Sequence, residues 1–275
     1  MALAESAIFG MLQGVLEWLP ISSTGELVII MTGIFGYAPQ DAADLSFFLH
    51  LGTAGSAALY LRRDIARILR SASGYHPGYG SPSDGMITFL VVSTLLSGAL
   101  GFSVFAFAAD AGAVSGEFLL GLVGIALIAT GVILYATKRR QGPAAYAAGL
   151  KSAASLNLRD TILLGAVQAF SALPGLSRSG VTVSALLLRG YSAPEALRLS
   201  FLMGIPAVLT AQAGLLLVYG FPDAEPSELL VGLALSFAFG YLSMRVLVGI
   251  AGRVSFWWFA IIMGCVALLS FAGLF

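Results

Sequence analysis

Two short runs each gather several side chains that can do chemistry into an otherwise apolar sequence. "LEWLPISSTGE" (Leu16–Glu26) carries Glu17, Ser22, Ser23, Thr24, Gly25 and Glu26, and "LPGLSRSG" (Leu173–Gly180) carries Ser177, Arg178, Ser179 and Gly180. Helix starts with backbone N–H groups and a positive dipole end attract anions. A planar guanidinium fork matches two phosphoryl oxygens. Gln13 and Glu17, one helical turn apart, share a face and can point at one ligand. The chemistry implied is recognition or transfer of a phosphoryl group. The same residues also have plain structural uses. Ser22, Ser23, Thr24, Ser177 and Ser179 can cap hairpin backbones, Glu26 can complement a helix dipole, Glu17 can pair with Arg178, and Gln168 can bond across a helix interface.

The surroundings are apolar. Of 275 residues, 58% are hydrophobic and 10% charged, with mean hydropathy +0.93, against about 25% charged in a soluble domain. The chain therefore reads as an integral membrane protein. A guanidinium at membrane depth is costly unless paired, so Arg178 needs a partner; a phosphate supplies one. Basic and acidic residues balance at 14 each, which argues against nucleic acid as a partner. Cys265 is the single cysteine, so no internal disulfide exists, and its apolar setting suggests packing. Met1 to Ile8 hold Glu5 and no basic residue, unlike a signal peptide. His50 reads as a core histidine, His76 as a solvated loop residue, and Trp257 and Trp258 as interface anchors.

Ten apolar segments run along the chain. Six have the length to cross a bilayer, at about 45–61, 86–109, 116–136, 199–220, 228–250 and 256–275. The other four, at about 4–20, 25–36, 160–173 and 180–190, form two pairs broken by polar bends with Gly and Pro. Such pairs read as re-entrant helical hairpins, 4–36 and 160–190. The fold expected is an all-α polytopic membrane protein of six transmembrane helices and two re-entrant hairpins.

The bends also repeat. "GMLQGVLEWLPISSTG" (Gly10 to Gly25) and "GAVQAFSALPGLSRSG" (Gly165 to Gly180) have equal length and match at both end glycines, at Gln13 with Gln168, and at Ser22 with Ser177. "LSFFLHLG" (Leu45 to Gly52) and "LSFLMGIP" (Leu199 to Pro206) follow in similar register, one residue off. This divides the chain into repeat one, 1–140, a cytoplasmic linker, 141–158, and repeat two, 159–275. Basic residues cluster after the third and fifth segments (Arg62, Arg63, Arg67, Arg70; Lys138, Arg139, Arg140, Lys151), while Asp41, Asp44, Asp110, Asp223 and Glu225 occupy the intervening loops. The positive-inside rule then puts the basic loops in the cytoplasm and both termini outside. One hairpin plus three crossings per half inverts the halves, and the polar tips Ser22–Gly25 and Ser177–Gly180 should meet within the membrane.

On these motifs the chain resembles the bacitracin-resistance family of undecaprenyl pyrophosphate phosphatases, whose signatures are E-x-x-x-E…P-x-S-S-T-G-H and P-G-x-S-R-S-G. "PGLSRSG" matches in full; "QGVLEWLPISSTGE" departs twice, with Gln13 for the first glutamate and Glu26 for the histidine. The resemblance implies an inverted-repeat membrane fold in the plasma membrane. It also implies removal of the terminal phosphate from a polyprenyl diphosphate, which recycles a lipid carrier. A divalent cation, Mg²⁺ or Ca²⁺, is expected, held by Glu17 and Glu26. On this reading the catalytic residues are Glu17, Ser23, Glu26 and Arg178. Gln13, Ser22, Thr24, Gly25, Gln168, Ser177, Ser179 and Gly180 bind substrate. Ser23, aligned with Arg178 in the repeat, is the nucleophile or a phosphate ligand. A homodimer is left open. The alternative is a carrier that moves a polyprenyl phosphate or another anionic lipid without hydrolysis, since inverted repeats are a transporter signature.

Overall fold

The computed structural model describes residues 2–19, 22–111, 150–172, 176–251 and 256–271, with short helical stretches between 124 and 139. The described elements are helical: α1 (Leu3–Leu16), α2 (Ser23–Gly33), α3 (Pro39–Tyr60), α4 (Arg62–Ser71), α5 (Pro82–Ala111), α6 (Leu158–Ala169), α7 (Arg178–Leu188), α8 (Ala193–Tyr219), α9 (Pro226–Ala251) and α10 (Phe256–Phe271). Among the described residues, three stretches are long and apolar enough to cross a membrane: Pro82–Val104, Ala193–Leu217 and Pro226–Ile250. They coincide with three of the crossings expected from sequence. The expected span 116–136 lies mostly outside the described residues.

Local sequence sets the helix ends. α1 stops ahead of Pro20, which disfavours helix in the residue before it, and α2 restarts at an N-cap, Ser22, whose hydroxyl accepts from the Gly25 N–H at 3.2 Å. The second break repeats this. α6 ends ahead of Pro174, and α7 restarts at Ser177, whose hydroxyl accepts from the Gly180 N–H at 3.1 Å. α2 and α7 are each 11 residues long. Ser22 and Ser177, aligned in sequence, thus cap their helices in the same way.

Each broken pair packs on a helix from the other half of the sequence. α1 lies against α9 so closely that a Cβ at Gly14 would come within 2.6 Å of the Gly240 nitrogen. In an apolar medium such small-residue contact is what holds helices together. Trp18 Nε1 donates to the Gly240 carbonyl at 2.8 Å and Ser243 Oγ to the Gly14 carbonyl at 2.7 Å across the same contact. α6 lies against α5, where Gln168 Nε2 donates to Ser97 Oγ at 3.0 Å. α3 packs on α9 through Ser236 Oγ, which donates to the Leu49 carbonyl at 2.8 Å. The buried core fills between these layers, with Trp18, Leu197, Phe201 and Met244 on one side and Phe9, Leu27, Phe48 and Leu49 on the other.

The base of the second broken pair is fixed by one carboxylate. Asp160 is fully buried and accepts from Arg189 Nε at 2.5 Å, Tyr191 Oη at 2.7 Å and Asn157 Nδ2 at 2.9 Å, with Lys151 Nζ at 3.4 Å. Removing it strands several donors. Arg189 and Lys151 stay about one-third exposed and keep water, so Asp160→Ala is expected to cost about 2–4 kcal/mol. It should appear as a lowered thermal midpoint of the detergent-solubilised protein.

Candidate active site

The site is assembled from the ends and middles of five helices. Glu17 closes α1 and is buried, with a side-chain exposure of 6%. Its Oε1 accepts from Arg178 Nη2 at 3.1 Å, from the first residue of α7. Its Oε2 accepts from Ser23 Oγ at 2.9 Å and Gln13 Nε2 at 3.0 Å, and lies 3.1 Å from His50 Nε2 on α3. His50 Nδ1 meets the Ser46 carbonyl at 2.8 Å, and its Nε2 is 3.5 Å from Ser23 Oγ. Arg178 Nη1 donates to the Ser200 carbonyl on α8 at 3.2 Å. One buried carboxylate thus sits between a guanidinium and an imidazole, with a serine hydroxyl bonded to it.

The two breaks meet at this point. Ser177 Oγ donates to the Leu19 carbonyl at 3.1 Å, and Ser179 Oγ reaches the Glu17 and Leu19 carbonyls at 3.3 and 3.1 Å. These bonds satisfy carbonyls that the end of α1 leaves without helical partners. They also bring the N-terminal ends of α2 and α7, with their positive dipole ends, to the same cluster. A guanidinium has more N–H donors than its bonds to Glu17 and Ser200 use, so Arg178 can hold a phosphoryl oxygen without leaving its seat. The guanidinium and the two positive helix ends favour an anion.

The two aligned runs after the helix breaks show why Arg178 fits. Residue 50 in "LSFFLHLG" corresponds to residue 204 in "LSFLMGIP", and Ser46 corresponds to Ser200. In one half the imidazole of His50 rises beside Ser23; in the other, Gly204 leaves that space and the Arg178 guanidinium fills it. A Cβ at Gly204 would collide with Arg178 Nη1 and stand 2.5 Å from Cζ. The guanidinium, at the end of a flexible side chain, is what must move. Gly204→Ala is therefore expected to keep the fold and displace Arg178, lowering turnover about 10²-fold, as misplacement of about 1 Å does in other sites. Activity assayed beside a melting curve checks it.

The family follows from comparison of the whole chain. The family model described as bacitracin resistance protein BacA matches residues 6–269. The chain belongs to this family. It is similar to proteins named undecaprenyl-diphosphatase from Methanococcoides burtonii (38% identical over 272 residues, covering 98% of each chain) and Haloarcula marismortui (36% over 252 residues, 91% of this chain and 90% of the relative). A third, from Geobacter sulfurreducens, carries the same name and is 32% identical over 274 residues, covering 96% of each chain.

Within this BacA-family chain, the residues singled out from sequence fall into three groups. Gln13, Glu17, Ser23 and Arg178 come together directly. Ser22, Gly25, Ser177, Ser179 and Gly180 form the caps and tip contacts around them. Thr24 and Glu26 lie on the first turn of α2, partly exposed, and Gln168 is bonded to Ser97 at the α5–α6 contact. His50, read from sequence as a core histidine, stands in the cluster, and Gly204 drew no notice. The aligned pair "LSFFLHLG" and "LSFLMGIP" sets the two at one register position without showing what either side chain meets. A surface cavity of about 630 Å³ is lined by Arg62, Arg63, Arg67 and Arg70 of α4 and by none of the residues in this cluster.

The surroundings of Glu17, expected with Glu26 to hold a divalent cation, are rich in hydrogen-bond donors. Among the described residues no three of His, Cys, Asp and Glu are grouped to hold a metal ion. Both Glu17 oxygens already accept from neighbours, and the adjacent guanidinium repels a dication.

Proposed function

We propose that this chain hydrolyses a polyprenyl diphosphate of the undecaprenyl type at the Glu17–Ser23–Arg178 cluster, releasing inorganic phosphate and the lipid monophosphate. The observation that carries the reading is the buried Glu17, bonded at once to Arg178 and Ser23 where two helix N-termini meet. Family membership and the names of the relatives agree with it, and nothing in the cluster favours a carrier that leaves the diphosphate intact.

Each residue then has a task. Arg178 and the first-turn amides of α2 and α7 hold the terminal phosphoryl group and stabilise the charge that develops on it. Ser23 is the nucleophile, its hydroxyl already donating to Glu17. Gln13 steadies the same Glu17 oxygen. A divalent cation enters this proposal only with the substrate: it would be bound by the diphosphate and water, with Glu26 as the carboxylate to hold it, as Mg²⁺ commonly is. Such an ion would supply charge neutralisation.

The membrane arrangement belongs to the same proposal. The broken pairs α1–α2 and α6–α7 are re-entrant hairpins entering from opposite faces in two inverted repeats, 1–140 and 159–275, joined by the linker 141–158. The arginine-bearing α4 faces the cytoplasm of a multi-pass plasma-membrane protein and both termini face outward. Support comes from the matched caps of α2 and α7 and from each pair packing on a helix of the other half.

The test is to incubate the purified protein in detergent with a polyprenyl diphosphate and separate the lipid products. Conversion to the monophosphate with stoichiometric inorganic phosphate is expected. Recovery of intact diphosphate from folded protein would overturn the proposal.

A further inference from the structure

The family signature ends in a histidine, and this chain has Glu26 in its place. A histidine nevertheless stands at the cluster, delivered by another helix. We propose that His50 is the catalytic histidine of this chain, taking part from α3 in proton transfer to and from Ser23. The inference rests on the hydrolase reading above.

Geometry carries it. His50 Nδ1 faces the Ser46 carbonyl at 2.8 Å, an acceptor, so the hydrogen-bond pattern assigns a hydrogen to Nδ1 and turns Nε2 toward the reacting groups. A ring fixed in this way has the orienting partner that a catalytic histidine requires. Nε2 lies 3.1 Å from Glu17 Oε2 and 3.5 Å from Ser23 Oγ. The second distance is long for a hydrogen bond, and such contacts tighten when substrate binds. The charged groups that face the ring are Glu17 from α1 and Arg178 from α7, with Ser23 presented by α2.

The reaction then balances. Ser23 Oγ attacks the terminal phosphorus, forming the O–P bond, while the bond from that phosphorus to the bridging oxygen breaks and its electron pair stays with the polyprenyl phosphate. The Ser23 proton passes to the Glu17–His50 pair and from it to the departing phosphate. In the second step water attacks the phosphoserine. One of its protons stays on the phosphate that leaves, and the other returns through the pair to Ser23 Oγ.

The experiment compares the native chain, His50→Gln, and His50→Gln combined with Glu26→His, each assayed for phosphate release with kcat and KM separated and a melting curve recorded. His50→Gln is expected to lower kcat about 10²–10³-fold with KM within about threefold. Adding Glu26→His, which restores the signature's own histidine, should recover at least about tenfold in kcat, an effect that a merely structural His50 would not give. A kcat for His50→Gln within about tenfold of native, or a loss that Glu26→His does not relieve, overturns the proposal. Native turnover is read in the same assay, so failure of the hydrolase reading itself would show as absence of phosphate release from the native chain.

Discussion

Arg178→Ala is expected to abolish phosphate release, with a loss of about 10³-fold or more. An arginine that stabilises charge on a transferred phosphoryl group is worth about 10³–10⁵ in turnover. Here the guanidinium is seated by Glu17 at 3.1 Å and by the Ser200 carbonyl at 3.2 Å. Truncation also leaves the buried Glu17 short of a positive partner, and breaking a buried pair from one side costs about 3–5 kcal/mol. Loss of activity could then reflect loss of fold. Arg178→Lys separates the two effects, because it keeps the charge beside Glu17 and removes the planar fork. It should melt close to the native chain and still lose about 10²-fold in turnover. Native-like turnover in Arg178→Lys would mean that the fork does not engage the phosphoryl group.

Ser23→Ala is expected to lower turnover about 10⁴-fold while leaving the fold intact. The serine lies on the first turn of α2, buried, and the residue that caps that helix is its neighbour Ser22, so Ala at 23 costs no cap. What it removes is the oxygen bonded to Glu17 at 2.9 Å. If Ser23 is the nucleophile, acid quenching during turnover should capture phosphate on a peptide containing Ser23 in the native chain and none in the variant. If Ser23 only binds phosphate, the variant would retain turnover within about 10²-fold, with KM raised and no phosphopeptide in either protein.

Much of this was legible in the sequence, for physical reasons that differ by residue. The helix breaks could be read because a Ser N-cap followed by Gly in place of a continued apolar run has few other meanings in a membrane chain, and both breaks carry it. Arg178 could be read because an arginine at membrane depth demands a partner. The pairing of Glu17 with Arg178 was foreseen only as its structural use; the structure shows that the same carboxylate also binds Ser23 and Gln13. His50 was not legible, since an isolated histidine inside an apolar helix looks the same in sequence whether it meets core or carboxylate. Only the crossing of α3 over the end of α1 decides it. Gly204 was hidden differently. In a chain with 33 glycines, one more carries no signal until the guanidinium lying over it is seen. Segment boundaries also shifted where a cap outweighed hydropathy. α3 begins at Pro39, a favoured first helical residue, several residues before the apolar stretch expected from 45.

The measurement that tests the central claim most directly is hydrolysis of a polyprenyl diphosphate by the purified native chain in water enriched in oxygen-18, with both products analysed by mass. Attack on the terminal phosphorus at the Glu17–Ser23–Arg178 cluster predicts the heavy oxygen in the inorganic phosphate and none in the polyprenyl monophosphate. Label in the lipid product would place bond cleavage elsewhere, and unlabelled, intact diphosphate recovered from folded protein would contradict the assignment of this site as a phosphatase.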